Sequence, residues 1–389
     1  MTRQLSTPPP PPPSEFGGDE SAARRRMRQR RTQQGSGWSL VIAALLLVMI
    51  TVVTSIGVVI WITVSNVEQE VLPTAIADLP TPVDARVDLS ANANVDLTTG
   101  TLLTLSDGRD IIIEPWDGES RFTILVMGLD RRPGETGLAY RTDTMMIVSI
   151  DPLTNSLGIL SIPRDLYVPV PGYSELQRIN SPMVLGELQR EGYGPTLAMQ
   201  TVQNNLGIRV NDYLAMDFNG FIKFVDAIGG IEITINYTLN DRTYPNMYYG
   251  YDPFYLPAGT HQLNGADALK FARTRHGSSD FQRAQRQQQT LYAIRDRVLE
   301  PGVLPSLIVQ APTLYAQFQE NFYTGLTLDQ MIQLTLYLKD IPVENINTGV
   351  IDQRYVMGYT TNSGSSVLIP NRRQLGPLMI DVFVPTYNQ

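Results

Sequence analysis

From Trp38 to Val64 the chain runs for 27 positions without a charged residue, most of them Val, Ile, Leu, Ala, Met or Trp. That exceeds the roughly 20 residues a membrane-spanning helix needs, and a globular helix is seldom apolar on every side for so long. The stretch reads as one transmembrane helix. Arg24, Arg25, Arg26, Arg28, Arg30 and Arg31 precede it, while Glu68 and Glu70 follow. By the positive-inside rule the N-terminus is then cytoplasmic and the rest of the chain extracellular, with Trp38 and Trp61 near the two interfaces. A cleaved signal peptide fits less well, because the segment is longer than a signal core and no small-x-small site follows it. The expectation is a signal-anchored, single-pass protein of the cell membrane.

This span divides the chain. Residues 1–37, with the run Pro8 to Pro13 and seven arginines, read as a disordered basic cytoplasmic tail. Residues 65–120 read as an extracellular stalk and a small strand-containing connector with a turn at Asp107-Gly108. Residues 121–389 read as the main domain. The overall net charge of -8 hides an asymmetry: beyond Gly37 there are 23 basic against 35 acidic residues, a net of -12. An acidic domain outside the membrane is a poor candidate for direct nucleic-acid contact. Cysteine is absent, which excludes thiol catalysis, thiolate metal sites and disulfide support, so the domain must rely on an ordinary hydrophobic core.

The main domain opens with three apolar runs, Phe122 to Asp130, Asp143 to Ile150 and Leu157 to Ile162, the last two set for a hairpin across Asp151-Pro152 and Asn155. Such near-continuous apolar strands indicate a sheet covered by helices on both faces. Helices are expected at about 182–190, 194–206, 219–228, 264–271, 280–299, 304–319 and 328–338, and a strand at 231–235. Residues 236–263, rich in Tyr, Pro, Gly and Asp, read as a long surface excursion, and the last 45 as short strands mixed with polar loops. The fold class is α/β: an α/β/α sandwich with a central mixed sheet, preceded by a single N-terminal transmembrane helix.

Three polar clusters follow or begin apolar runs: Gly128 to Arg132, Arg141 to Thr144 and Pro163 to Asp165. Strand ends are where α/β sheets assemble their sites. Each aspartate alone suits a turn or a cap. Asp130 and Asp143 together suit one hard divalent cation, with water completing its shell and arginines taking the remaining charge of a phosphate. A fourth polar stretch, Phe271 to Gln289, concentrates Arg273, Arg275, Arg283 and Arg286. Asp280, Arg283 and Gln287 recur there at helical spacing, as a solvated ion-pair face or as an anion clamp of guanidinium forks. Arg286 reads as facing solvent. No P-loop, HExxH or GxSxG pattern occurs, and His261 and His276 are spaced for neither a triad nor a zinc site.

The motifs ILVMGLDRR, RTDTMMIVSIDP, LSIPRDLYVPVPG, RINS, DFNGFIKFVDAIGGIEI, GTHQLNGADALKFARTR and DFQRAQRQQ resemble those of the LytR-CpsA-Psr family of cell-wall glycopolymer transferases. The resemblance is strong over about residues 121–300 and weak in the helical C-terminal part.

It implies that Asp130 and Asp143 hold Mg2+ at a diphosphate, and that Arg164, Arg273, Arg275 and Arg283 grip the phosphates with Gln287 beside them. Arg132 and Arg141 lie in the matching loops as further contributors, and Asp165 suits an orienting partner for arginines. Arg178 stands where the family commonly has lysine, which keeps the charge and changes the contact. Asp130, Asp143, Arg164 and Arg275 are the implied catalytic set. The implied reaction takes a glycopolymer from a polyprenyl diphosphate-linked donor in the outer leaflet. A hydroxyl of the peptidoglycan acceptor attacks the sugar-proximal phosphorus, forming a phosphodiester and releasing polyprenyl phosphate. Hydrolysis of the lipid diphosphate by water, or a role as a membrane-bound envelope regulator, are the alternatives.

Overall fold

A computed structural model describes residue 92 and residues 95–389, apart from 133, 247–249, 276–279, 385, 386, 388 and 389. The expected cytoplasmic tail and the Trp38–Val64 span lie outside the described residues. Among the described residues no helix is long and apolar enough to cross a membrane.

The three apolar runs form the middle of a six-stranded mixed sheet. Strands β1 (Phe122–Leu129), β2 (Thr142–Asp151) and β3 (Ser156–Ile162) are successive antiparallel neighbours, with Val126 opposite Met146 and Ile147 opposite Leu160. Strand β4 (Asp212–Asp217) runs parallel to β1, and β5 (Phe322–Thr324) antiparallel to β4. On the other side β6 (Ile346–Val350) runs parallel to β3. The spatial order is therefore β5-β4-β1-β2-β3-β6.

The helices are α1 (Pro182–Gln189), α2 (Gly194–Leu206), α3 (Phe218–Ala227), α4 (Gly265–Arg273), α5 (Asp280–Val298), α6 (Val303–Phe318), α7 (Leu328–Leu338) and α8 (Arg372–Phe383). Every residue of β3 is buried, and its two faces enter different cores, as the period of two requires. Leu160 and Ile162 join Leu125, Met127, Met145 and Ile147 against α1, α2 and α8. Leu157 and Ile159 pack with Ile150, Leu291 of α5 and Leu334 of α7. The sheet is thus flanked by helices on both faces, an α/β/α arrangement.

Two segments depart from the sequence reading. Residues 236–263 are not a surface excursion: Leu239, Tyr244, Phe254, Leu256 and Leu263 are buried in a second core with Phe271 of α4. The segment folds back as a hairpin, Leu239–Asp241 with Phe254–Leu256, and then pairs Gly259–Leu263 with Ile231–Ile235. Its turn-rich composition hid an alternation of buried side chains. The C-terminal region holds the helix α8, where only strands and loops were expected. Leu375, Leu378, Met379, Val382 and Phe383 are its buried stripe, a helical spacing interrupted in the sequence by Gly376 and Pro377. Pro377 removes one backbone donor without ending the helix.

In the connector, Leu102–Thr104 pairs with Asp110–Ile112, and Gly108 adopts the left-handed conformation (φ 84°) that the turn demands. Leu103, Leu105 and Ile113 share a core with α6 and α7.

Candidate functional site

Because β1 and β2 are antiparallel, the end of β1 and the start of β2 lie at one rim of the sheet, and β3 ends at the same rim, with Ile162 opposite Met145. Asp130 follows the last residue of β1, Asp143 is the second of β2, and Arg164 and Asp165 follow β3. A register shift between Gly128 and Leu129 is the kind of irregularity that re-aims side chains at a sheet rim. The second wall comes from α4 and α5. Asn264 caps α4 by accepting from the Asp267 N–H. Gly265 lets α4 approach α3 closely: a Cβ there would sit 2.2 Å from the Ile222 carbonyl oxygen. Arg275 follows α4, and α5 begins at Asp280.

Asp130, Arg141, Asp143, Arg164, Asp165, Arg178, Asn180 and Asp280 line a cleft of about 650 Å³. Asp143 is its hub. One carboxylate oxygen receives the Arg164 guanidinium, the other accepts from Asn180 Nδ2 at 2.9 Å, and Arg275 Nη2 stands 3.9 Å away. Asp165 lies between two arginines, 3.0 Å from Arg178 Nε and 3.4 Å from Arg164 Nε. Arg178 also donates to the Ser366 carbonyl at 2.9 Å. Asp280 is shared loosely, 3.5 Å from Arg283, 3.6 Å from Arg275 and 3.9 Å from Arg164. Those three separations exceed ordinary hydrogen-bond lengths, and the Nε atoms of Arg164, Arg178 and Arg283 are buried without an acceptor, so part of the guanidinium donor set is gathered without being consumed. Arg283 Nη2 reaches the Asp143 carbonyl at only 3.4 Å, and Gln287 Nε2 donates to Thr144 Oγ1 at 3.0 Å.

The electrostatics reflect that crowding. Burial, with Arg275 and Arg164 close by, pulls the Arg283 guanidinium down to about 10. Burial and the Arg164 charge also lower Arg275. Burial pulls Arg164 down too, but Asp143, Asp165 and Asp280 outweigh it and leave its pKa raised.

The predicted residues do not all meet here. Arg141 stands exposed at the cleft. Arg132 donates to the Asn246 carbonyl at 2.8 Å. Arg273 donates to the Tyr244 hydroxyl at 3.1 Å and lies over the Phe218 ring at 3.8 Å. Both side chains therefore engage the 239–256 hairpin region. His276 lies outside the described residues.

Other residues were not singled out by the sequence. Asn180 is 4% exposed, and its amide oxygen has no hydrogen-bond partner. The RINS motif contained it, but nothing distinguished it from an ordinary turn asparagine. Arg131, between the attention-drawing Asp130 and Arg132, is buried: Nε is 2.9 Å from Asp217 Oδ2, and Nη1 donates to the Tyr323 hydroxyl at 2.7 Å and the Gly137 carbonyl at 3.0 Å. Arg286, expected to face solvent, is 2% exposed. It donates to the carbonyls of Phe271 and Thr274, where the C-terminal end of α4 attracts positive charge. The fork thereby ties α5 to the end of α4.

Among the described residues no group of three or more His, Asp or Glu side chains is arranged for a metal ion. Asp130 and Asp143 are a pair, the number Mg2+ commonly takes when phosphate and water fill its octahedron. Asp130 Oδ1 is buried without a hydrogen-bond donor, which leaves it open to a cation.

The LytR_cpsA_psr family model matches residues 89–378. The chain belongs to the LytR-CpsA-Psr family. It is 30% identical over 220 residues to the polyisoprenyl-teichoic acid–peptidoglycan teichoic acid transferase TagU of Bacillus cereus (strain AH820), a match covering 56% of this chain and 65% of that relative. It is 28% identical over 271 residues to the regulatory protein MsrR of Staphylococcus aureus (strain COL), covering 65% of this chain and 77% of that one. The crystal structure of TagV from B. subtilis superposes with a TM-score of 0.53 at 26% identity, over 67% of this chain and 95% of that one.

Proposed function

We propose that this LytR-CpsA-Psr protein is a Mg2+-dependent phosphotransferase that moves a glycopolymer from a polyprenyl diphosphate carrier onto peptidoglycan. The observation that carries this reading is the gathering of Arg164, Arg178, Arg275 and Arg283 around Asp143, Asp165 and Asp280 with donors left over: the Nε atoms of Arg164, Arg178 and Arg283 are buried without a hydrogen-bond acceptor, and Arg275 stands 3.6 and 3.9 Å from its two carboxylates. A diphosphate offers what such a set lacks: several acceptor oxygens and enough negative charge to offset the burial and the neighbouring arginine charge that lower Arg275 and Arg283. The sequence similarity to a TagU transferase supports the same reaction class.

In the proposed reaction Arg275 and Arg283 hold the diphosphate oxygens from the helical side, and Arg164 and Arg178 from the sheet side. Asp165 and Asn180 are positioning residues: the first orients both sheet-side arginines, and the second holds Asp143. Asp130 and Asp143 are the residues that would hold Mg2+, which when bound supplies further charge neutralisation on the diphosphate. The acceptor hydroxyl attacks the sugar-proximal phosphorus. An O–P bond to the acceptor forms, the bridging O–P bond to polyprenyl phosphate breaks, and the hydroxyl proton is released. No covalent protein intermediate is required.

The test is transfer of a labelled lipid-linked glycan diphosphate to cell-wall acceptor by the full chain, with and without Mg2+. The proposal expects label in the wall, one polyprenyl phosphate released per transfer, and loss of both in an Asp130→Ala/Arg275→Ala double variant. Undiminished transfer by that variant would remove the site. Label found only in soluble phosphate products would replace transfer by hydrolysis.

A further inference from the structure

A second depression of about 620 Å³ lies beside the cleft, lined by Tyr167, Pro169, Leu176, Met357, Pro370 and Arg373 among others. It draws on the same chain segments. Asp165 faces the cleft and Tyr167 the groove; Arg178 faces the cleft and Leu176 the groove. Residues two apart in each segment thus line the two depressions in turn, which places groove and cleft side by side along them. The hairpin Val356–Thr360 with Ser366–Pro370 spans both: Ser366 to Leu368 line the cleft, Ile369 and Pro370 the groove. Its Leu368 N–H donates to the Asp165 carbonyl at 2.9 Å, and Arg178 holds the Ser366 carbonyl.

The groove's chemistry differs from the cleft's. Leu176 is 40% and Met357 61% exposed, and with Tyr167, Pro169 and Pro370 they make an apolar, partly flat floor. Clustered exposed apolar side chains of this kind mark binding surfaces. At one end the first turn of α8 supplies two cations. Arg372 is tied to Asn205 at 3.1 and 3.2 Å. Arg373 is exposed and has no hydrogen-bond or ion-pair partner among the described residues. Positive charge beside a helix N-terminus is placed against the helix dipole, and an anion there would satisfy both.

We infer that this groove is the subsite for the acceptor strand: a glycan whose sugar faces pack on the apolar floor and whose carboxylates meet Arg373. The inference rests on the phosphotransferase reading and extends it. A long acceptor must approach the diphosphate through open surface, and the groove adjoins the cleft along the shared hairpin. Arg373, exposed and without a partner among the described residues, adds charge complementarity that favours a carboxylate-bearing strand over an uncharged glycan. Arg373 is then the specificity determinant, and Tyr167 and Met357 are the platform.

The experiment is a binding titration of the full chain in detergent with two probes. One is a disaccharide-peptide tetrasaccharide released from cross-linked wall; the other is chitotetraose, which has comparable sugar faces and no carboxylate. The muropeptide should bind more tightly than chitotetraose. Arg373→Ala should reduce muropeptide affinity about ten-fold, the worth of one charge-assisted hydrogen bond, and leave chitotetraose unchanged. Met357→Asp should weaken both probes. Inorganic diphosphate affinity, set by the cleft, should stay as in the wild type in both variants. Equal binding of the two probes by the wild type, or muropeptide binding unaffected by Arg373→Ala, overturns the inference. Failure of the transfer reading is separately visible, because it appears as absent transfer from lipid diphosphate whatever the groove binds.

Discussion

Arg131 and Arg283 are both buried arginines near the same sheet rim, 2% and 6% exposed, yet their surroundings are opposite. Arg131 is closed on all sides by Asp217, Tyr323, Gly137 and the Glu320 carbonyl. Burial pulls its pKa down, but the Tyr323 hydroxyl and the Asp217 carboxylate more than restore it, and it stands above the ordinary value. Burial, with Arg275 and Arg164 close by, lowers Arg283 to about 10, and its aspartate is shared and distant. One guanidinium is a finished structural fastening. The other is held in a state that an anion would improve. Residue type and burial alone do not separate these roles; the completeness of the hydrogen bonding does.

The largest expected effect belongs to the fastening. Arg131→Ala leaves the Asp217 carboxylate buried without its cation, and denaturant unfolding should register a loss of about 3–5 kcal/mol. A loss below about 1 kcal/mol would mean that the pair is no fastening, and the comparison would fail. Arg275→Ala should act the other way round. Its side chain is 43% exposed, so stability should hardly move. Transfer should fall about 10²–10³-fold, as when one preorganised donor to a developing charge is removed. Unchanged transfer with a large loss of stability would reverse its assignment.

Arg286→Leu tests an intermediate case, since that fork bonds carbonyls at the end of α4. It should cost about 1–3 kcal/mol by leaving buried acceptors unsatisfied. Transfer should drop as well, because the α4 end carries Arg275.

The smallest effect is in the pH dependence. The Arg283 pKa is lowered on folding, so the native state sheds this proton before the unfolded chain does. Between pH 10 and the ordinary arginine value the unfolded chain binds more protons, and this group's contribution to stability rises with pH. A bound diphosphate raises the Arg283 pKa, so diphosphate affinity should fall above pH 10, by at most about ten-fold per pH unit for one proton. Arg283→Ala should abolish that break. A wild-type affinity flat from pH 9 to 11 would contradict the lowered value.

How much of this the sequence carried follows from the kind of signal involved. Strands β1 to β3 were legible because continuous apolar runs bounded by polar strand-end clusters have few other interpretations. The rim aspartates and arginines were legible because their motifs are contiguous. Asn180 and Arg131 were not, since their distinction lies in burial and partners from distant segments: Asp143 for the first, Asp217 and Tyr323 for the second. Arg286 was misread for the same reason, as its partners include carbonyls at the end of another helix. Helix α8 was hidden by Gly376 and Pro377, which break propensity but not the buried stripe around them. The 236–263 segment was hidden by turn residues interleaved with Leu239, Tyr244, Phe254 and Leu256.

The proposed function makes the loosely paired arginines the diphosphate site and leaves the closed ones out of it. The direct measurement is calorimetric titration of inorganic diphosphate with Mg2+ into the full chain, comparing wild type, Arg275→Ala/Arg283→Ala and Arg286→Lys. The wild type should bind saturably. The double variant should bind at least about ten-fold more weakly for each guanidinium removed, and Arg286→Lys should stay within a few-fold of the wild type. Equal affinity in the wild type and the double variant, with both folded, would contradict it.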